Sequence, residues 1–313
     1  TVILEVWDNQ TPACYDFVHI PVLVNENPIA NFESTSECEL AACTEFTDLS
    51  SSPGTVNLWD WTISSALGNY CPGSINTDPD PNFLFSSAGT HTVTLEVTDD
   101  NSCSDIVTNN VVVYANPIAD FIHSSVLCQD ETINFIDNSF PGDGTINYWE
   151  WSFGPGSTPP TSFSDFEDVT YSFSGPKTIT LIVKDDNDCT STVSDSLYIN
   201  NLPTALFSYT NVCALQPVEF KNLSYGNDNP ILGYTWILSD LFTDNVPDFT
   251  HEYLGVDPFI GAHVDATLIV TDQANCTNTI SAIDILPLNE LIEIHPLPTI
   301  DFVAEDICVG DCF

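Results

Sequence analysis

Apolar and polar residues alternate along most of this chain in runs of five to seven, as in Thr92-Val-Thr-Leu-Glu-Val97, Thr178-Ile-Thr-Leu-Ile-Val183 and Ala266-Thr-Leu-Ile-Val270. A period of two is that of half-buried antiparallel strands, whose successive side chains point to opposite faces. Clusters of Gly, Pro, Asn and Asp separate the runs and supply turns. Helical periodicity is nearly absent, so the pattern predicts an all-β protein.

The pattern also recurs. Pro28-Ile-Ala-Asn-Phe32, Pro117-Ile-Ala-Asp-Phe121, Pro203-Thr-Ala-Leu-Phe207 and Pro298-Thr-Ile-Asp-Phe302 open four copies of one unit, spaced 89, 86 and 95 residues apart. Each opening leads to a cysteine (Cys38, Cys128, Cys213, Cys308). In the three longer copies a tryptophan phrase follows (Trp59-Asp-Trp61, Trp149-Glu-Trp151, Tyr234-Thr-Trp236), then a long alternating strand, an Asp-rich turn and a second cysteine (Cys103, Cys189, Cys276). Residues 1–27 match the back half of a unit and residues 298–313 the front. The expected domains are therefore a C-terminal half at 1–27, full units at 28–116, 117–202 and 203–297, and the start of another at 298–313, the whole being a window on a longer chain.

A period near 90 is the size of an independent small domain rather than of a solenoid repeat. Several short strands, a tryptophan mid-domain and cysteines near either end predict a two-sheet β-sandwich of about seven strands. Tyr148-Trp-Glu-Trp-Ser-Phe-Gly154 and Tyr171-Ser-Phe-Ser-Gly-Pro-Lys-Thr-Ile-Thr-Leu-Ile-Val-Lys-Asp-Asp186 resemble the signature strands of the PKD (polycystic kidney disease) domain. The resemblance implies tandem immunoglobulin-like sandwiches, as in the giant secreted adhesins and filament proteins of Bacteroidota. The first and third units depart from it: Trp61-Thr-Ile63 and Trp236-Ile-Leu238 lack the Phe-Gly, and Leu254–Gly261 interrupts the third unit's final hairpin.

The 11 cysteines form no Cys-x-x-Cys, and the six histidines do not cluster near them, which argues against zinc. Repeat logic predicts disulfides within each unit, Cys38–Cys103, Cys128–Cys189 and Cys213–Cys276, closing loops of 65, 61 and 63 residues. Cys43–Cys71 would clamp an insertion peculiar to the first unit, leaving Cys14, Cys308 and Cys312 over. Such crosslinks belong to an oxidising, extracellular setting.

Charge narrows the partners. Forty-five acidic residues face three lysines and no arginine, a net charge of −42. Nucleic acid and anionic membrane surfaces are excluded, since both are held by basic side chains, and no apolar run approaches the roughly 18 residues of a membrane span. Self-repulsion on this scale calls for a saline or cation-rich medium. Acidic groups at the last hairpin of each unit (Asp99-Asp100, Asp185-Asp186, Asp272) are candidate Ca²⁺ ligands, because hard cations take carboxylate oxygens. Asp-Asp-Asn is equally ordinary turn chemistry. No other cofactor is indicated.

Trp59 with Trp61, and Trp149 with Trp151, share a strand face, and their recurrence predicts a buried core rather than a sugar platform. His19, His91, His123, His251, His263 and His295 occupy non-equivalent places, and no catalytic motif occurs, so no enzyme is expected. Sequons at Asn9, Asn222 and Asn275 match what composition alone produces. Short proline-ended junctions (Tyr114-Ala-Asn-Pro117, Asn200-Asn-Leu-Pro203) predict stiff linkage. The expected function is a disulfide-locked spacer in a long extracellular, cell-surface adhesin or filament, partnered by neighbouring repeats and by identical chains bundling into a fibre. The alternatives are an accessory region presenting a secreted hydrolase to polysaccharide or collagen, and a glycan- or protein-binding module centred on the insertion at 64–82.

Overall fold

In the computed structural model, which describes residues 1–64, 68–285 and 291–301, the alternation becomes alternate burial. Along the strand Gly89–Asp99, His91, Val93, Leu95, Val97 and Asp99 are buried while the residues between them are exposed or half-exposed. Gly175–Asp185 repeats this with Lys177, Ile179, Leu181, Val183 and Asp185, and Ala266–Asp272 with Ala266, Leu268, Val270 and Asp272.

The first two repeats are each a pair of four-stranded sheets, and the strands of the third fall in three sheets. In the first, Phe32–Ser34, Thr44–Asp48, Asn82–Phe85 and Gly68–Tyr70 lie in that order in one sheet, and Glu37–Cys38, Ser104–Tyr114, Gly89–Asp99 and Val56–Ile63 in the other. The second repeat has the same plan: Phe121–His123, Ile133–Asp137, Phe166–Tyr171 and Ser157–Thr158, then Thr161–Ser162, Ile146–Ser152, Gly175–Asp185 and Thr190–Ile199. Two-residue edge strands raise the number from about seven to eight among the described residues of each, and such short edges offer little template for pairing with other chains. In the third repeat the long hairpin is broken. Asp265 separates Ala262–Val264 from Ala266–Asp272, and the return strand Thr277–Ser281 turns into a four-residue helix, Ala282–Ile285, before Ile292–His295. Residues 286–290, ahead of that last strand, lie outside the described residues.

The core forms around one tryptophan per repeat. Trp61 packs on Phe32 and Phe46, Trp151 on Phe121 and Phe135, and Trp236 on Phe207 and Phe220, with ring centroids 5.0–6.3 Å apart. Each indole N–H donates to a backbone carbonyl: of Asp78 at 3.0 Å, Ser164 at 2.8 Å and Val246 at 3.0 Å. A buried tryptophan needs such a partner for its polar end. Tyr171 donates to the carbonyl of Phe153 at 2.9 Å, and burial pushes its phenol up to about 12. The expectation that both members of each tryptophan pair are core residues holds for Trp61 and Trp151 only. Trp59 and Trp149 are half-buried, and Trp59 donates to Asp48 at 2.7 Å.

The described residues group into two compact units that do not follow the repeats. One comprises 1–120, 138–149 and 182–193, the other 121–137, 150–181 and 194 onward. Each unit thus contains one junction between successive repeats. Within the first unit, residues 1–27 form a single hairpin, Val2–Trp7 with Tyr15–Ile20, exposed along both strands. Cys308, Cys312 and the rest of 302–313 lie outside the described residues.

Candidate functional site at the repeat junctions

The cysteines are joined across the junctions. Cys38 bonds Cys189 and Cys128 bonds Cys276, each with 5.6 Å between Cα atoms. The intra-repeat bonds predicted between Cys38 and Cys103, Cys128 and Cys189, and Cys213 and Cys276 do not form, and Cys103 and Cys213 are free thiols, as is Cys14. Cys43–Cys71 forms as expected, with Cα atoms 6.5 Å apart.

Strand length explains the correction. Cys38 lies beside Tyr114, the last residue of Ser104–Tyr114, in a short parallel pairing, whereas Cys103 immediately precedes that strand's first residue. Eleven residues at about 3.3 Å each put the two cysteines roughly 35 Å apart, and a disulfide needs Cα atoms within about 7 Å. The register recurs: Cys128 is bridged in parallel to Asn200, beyond the strand that Cys189 precedes, and Cys213 pairs with His295. In each of the three full repeats the first cysteine therefore sits where the chain leaves and the second where the chain arrives. A departing end meets the next arriving end, and the thiols meet there.

The turns that present these thiols are the same in each repeat. Leu40, Asp130 and Leu215, two residues after the first cysteine, have φ of 56°, 60° and 66°. Ser102, Asp188 and Asn275, just before the second, have φ of 60°, 66° and 63°. Left-handed backbone is costly for non-glycine residues, and here a buried aspartate holds the second turn in place. Asp99 Oδ1 accepts from the N–H groups of Asn101 and Cys103 at 2.9 and 3.0 Å. Asp185 does the same for Asn187 and Cys189 at 3.0 and 2.8 Å, and Asp272 for Ala274 and Cys276, both at 2.9 Å. The Cys103 N–H, with help from Ser52, holds the Asp99 carboxyl below its ordinary value.

The second member of each acidic pair also caps backbone: Asp100 accepts from Thr55 at 3.2 Å and Asp186 from Thr145 at 2.8 Å. The five candidate Ca²⁺ ligands thus sit at hairpin turns, with carboxylate oxygens engaged by N–H groups. Among the described residues no group of three or more His, Cys, Asp or Glu side chains is placed to hold a metal ion. Asp185 Oδ2 and Asp272 Oδ2 are buried and have no hydrogen-bond partner.

Further residues fasten the linkers, and the sequence reading missed them. Asp143 accepts from Ala115 N–H at 2.8 Å, and Asp228, at the equivalent place, from Asn201 N–H at 2.7 Å. Asn116 donates to the carbonyl of Glu39 at 2.8 Å, and Asn200 to that of Leu127 at 3.0 Å. Their signal is the matched pair of polar turns, Pro141-Gly-Asp-Gly144 and Gly226-Asn-Asp-Asn229, each ending two residues before the strands Ile146–Ser152 and Ile231–Leu238 or closer.

In the first repeat the insertion clamped by Cys43–Cys71 lies beside Trp59. A cleft of about 390 Å³ there is lined by Leu58, Trp59, Asp60, Asn76, Glu96 and Thr98, among others, and Asn76 donates to Asp60 at 2.9 Å.

Paired sheets around a single tryptophan, repeated in tandem, define an immunoglobulin-like sandwich array. The PKD domain family matches residues 31–112 and 114–201, together more than half of the chain, and the protein belongs to that family as a tandem PKD array. Among solved structures, the PKD1 domain of Vibrio anguillarum Epp is 24% identical over 27% of this chain and 93% of its own, with a TM-score of 0.24. The PKD1 domain of the Vibrio cholerae metalloprotease PrtV is 25% identical over 27% of this chain and 96% of its own, also at 0.24. A Ca²⁺-stabilised adhesin of an Antarctic bacterium that binds ice is 10% identical over 89% of this chain and 79% of its own, at 0.38. No curated protein sequence matches the chain. PKD domains and several disulfides are features of extracellular proteins, and no helix among the described residues is long and apolar enough to cross a membrane.

Proposed function

We propose that this chain is a structural segment of a long extracellular surface adhesin or filament, in which disulfide-joined PKD repeats act as a spacer during attachment. The observation that supports this reading is that the disulfides run from repeat to repeat. Under tension, backbone alone would let Cys38 and Cys276 separate by 238 residues of extended chain. With both bonds in place the shortest covalent route between them is the 61 residues from Cys128 to Cys189, roughly 200 Å at full stretch. A spacer under load gains from that limit, whereas a module that only presents a catalytic domain does not need it. The net charge of −42 keeps such chains soluble, and cations that screen it would let identical chains bundle. Ca²⁺ at the hairpin aspartates belongs to this proposal, with the unpartnered Asp185 Oδ2 and Asp272 Oδ2 as its points of attachment.

The test is made in the producing cell. Antibodies against this segment should label intact cells, and removing the repeats at 117–297 should reduce attachment while export continues. Unchanged attachment, accompanied by loss of polysaccharide or collagen hydrolysis, would instead establish the accessory-domain alternative. The half-exposed Trp59 in its cleft favours a second reading for the first repeat, glycan binding. A glycan array with Trp59→Ala as the control decides that point.

A further inference from the structure

The strand that follows the second cysteine borders its sheet in each repeat: Ser104–Tyr114, Thr190–Ile199 and Thr277–Ser281. In the first repeat Glu37–Cys38 covers only its last two residues, Val113 and Tyr114. Asp99 N–H donates to the Cys103 carbonyl at 3.0 Å, so the odd-numbered residues of Ser104–Tyr114 bond Gly89–Asp99 and the even-numbered ones turn their N–H and C=O groups to the open side. The Tyr114 carbonyl accordingly accepts from Glu39 at 2.9 Å.

An open edge is a template for another strand, and folded proteins ordinarily block it. The second and third repeats do so. Asp185 and Asp272 N–H groups donate to the Cys189 and Cys276 carbonyls, which by the same alternation turns Ser196, Thr279 and Ser281 outward. Their N–H groups are taken by Asp195 Oδ1 at 2.7 Å, Asn278 Oδ1 at 2.8 Å and Asp284 Oδ2 at 3.2 Å. In the first repeat the N–H groups of Ile106, Thr108 and Asn110 have no acceptor among the described residues. Asp105, the one ionisable side chain from Ser104 to Val112, is held elsewhere, accepting from Ala30 N–H at 2.9 Å. The strand contains no proline or lysine, its register against Gly89–Asp99 has no bulge, and Ile106 on its outer side is 58% exposed.

We infer that this edge takes the same strand of a second copy, antiparallel, with Thr108 on the two-fold axis, so that two sheets become one. The inference rests on the reading that identical chains bundle, and it names the surface by which they do so. Thr108 exchanges backbone bonds with the partner's Thr108, and Ile106 with the partner's Asn110, so each open donor meets an open carbonyl. The contact is isologous and closes at the dimer. Asp105 falls opposite the partner's Val111, so no carboxylate meets another, the condition that a chain of net charge −42 sets on pairing with itself. A partner recognised by charge would find almost nothing to hold on this edge.

The test is sedimentation equilibrium of the full chain, its free thiols alkylated, at 0.1 and 1 M NaCl, with amide hydrogen exchange read residue by residue. Salt shortens the screening length from about 10 Å to about 3 Å over that range. The expected result is a monomer at low salt and a dimer at high salt. In the dimer the amides of Ile106, Thr108 and Asn110 exchange at least tenfold more slowly than in the monomer, while those of Val107 and Asn109, already bonded within the sheet, do not change. Thr108→Pro removes an outward N–H and no bond to Gly89–Asp99, and should weaken dimerisation at least tenfold. Should that variant unfold, Asn110→Asp keeps the backbone intact and should weaken it too, whereas Asn69→Asp, away from this strand, should not. A monomer at every concentration in 1 M NaCl overturns the inference. So does a dimer that Thr108→Pro or Asn110→Asp leaves as tight, or whose edge amides exchange as in the monomer, since its contact is then another surface. Either result with attachment still dependent on 117–297 removes this pairing alone, whereas attachment that survives loss of those repeats removes the spacer reading and leaves the dimer in place.

Discussion

The two junctions share a covalent bond and differ in what surrounds it. At the first, the linker comes close to backbone: a Cβ at Gly142 would lie 2.1 Å from the carbonyl oxygen of Ala115, and one at Gly144 would lie 2.6 Å from Asp185 Oδ2. At the second, the equivalent residues are Asn227 and Asn229, whose amides donate to the carbonyl of Leu202 at 2.7 Å and to Asn200 Oδ1 at 2.9 Å. Asn278 adds a bond to the carbonyl of Pro203 at 2.8 Å. One junction closes by bringing backbones together, the other by spanning the gap with amide side chains. Both keep the disulfide and the aspartate that receives the linker N–H, so these two features define the junction, and the remainder is free to vary.

Opening the bonds should have the largest effect. Cys38→Ser and Cys128→Ser each release a closed stretch of about 150 residues, a loss of about 5 kcal/mol on chain-entropy grounds. Urea unfolding of the oxidised proteins should show similar losses for both, and a much smaller loss at the second junction would mean that its asparagines carry what the disulfide carries at the first. Asp272→Ala should come next, at about 3 kcal/mol, because it strands the N–H groups of Ala274 and the fully buried Cys276.

Gly142→Ala should cost about 2 kcal/mol by forcing backbone apart, against about 1 kcal/mol for Asn227→Ala, which removes two exposed hydrogen bonds, to the Leu202 carbonyl and the Thr204 hydroxyl. Equal effects would erase the contrast between the junctions. The smallest change is with acid. Folding lowers the Asp99 carboxyl below its unfolded value, so the folded state binds fewer protons there. Its contribution is complete above pH of about 4 and disappears as pH falls through the lowered value. Thermal melts from pH 6 to pH 2.5 should therefore show an acid-induced fall in stability that Asp99→Asn flattens.

Much of this was legible in the chain. Period-two alternation placed the long strands, the tryptophan phrases placed the core, and the insertion gave the Cys43–Cys71 clamp. The disulfide register was not legible from spacing, because both pairings are uniform: separations of 61–65 residues within repeats and of 148 and 151 between them. What distinguishes them is that each second cysteine stands a full strand, 11 residues in the first repeat, away from the place where the chain departs. Alternation marks that strand's length, so the distance was implicit in it. Trp59 and Trp149 share the strand face of Trp61 and Trp151 yet reach only the rim of the core, a matter of sandwich width that a face assignment does not contain.

The interleaved bonds also change what a protease can do to this chain. The stretch bridged by Cys38 and Cys189 overlaps the stretch bridged by Cys128 and Cys276, so every peptide bond from Cys38 to Cys276 lies inside at least one closed ring. A single cut anywhere in that span, including the linkers at 115–117 and 201–203, leaves both fragments covalently attached. Bonds confined to separate repeats would have left every linker a point of severance. Joined in this way, the array is a ladder with two rails, and parting it requires either two cuts or a reductant.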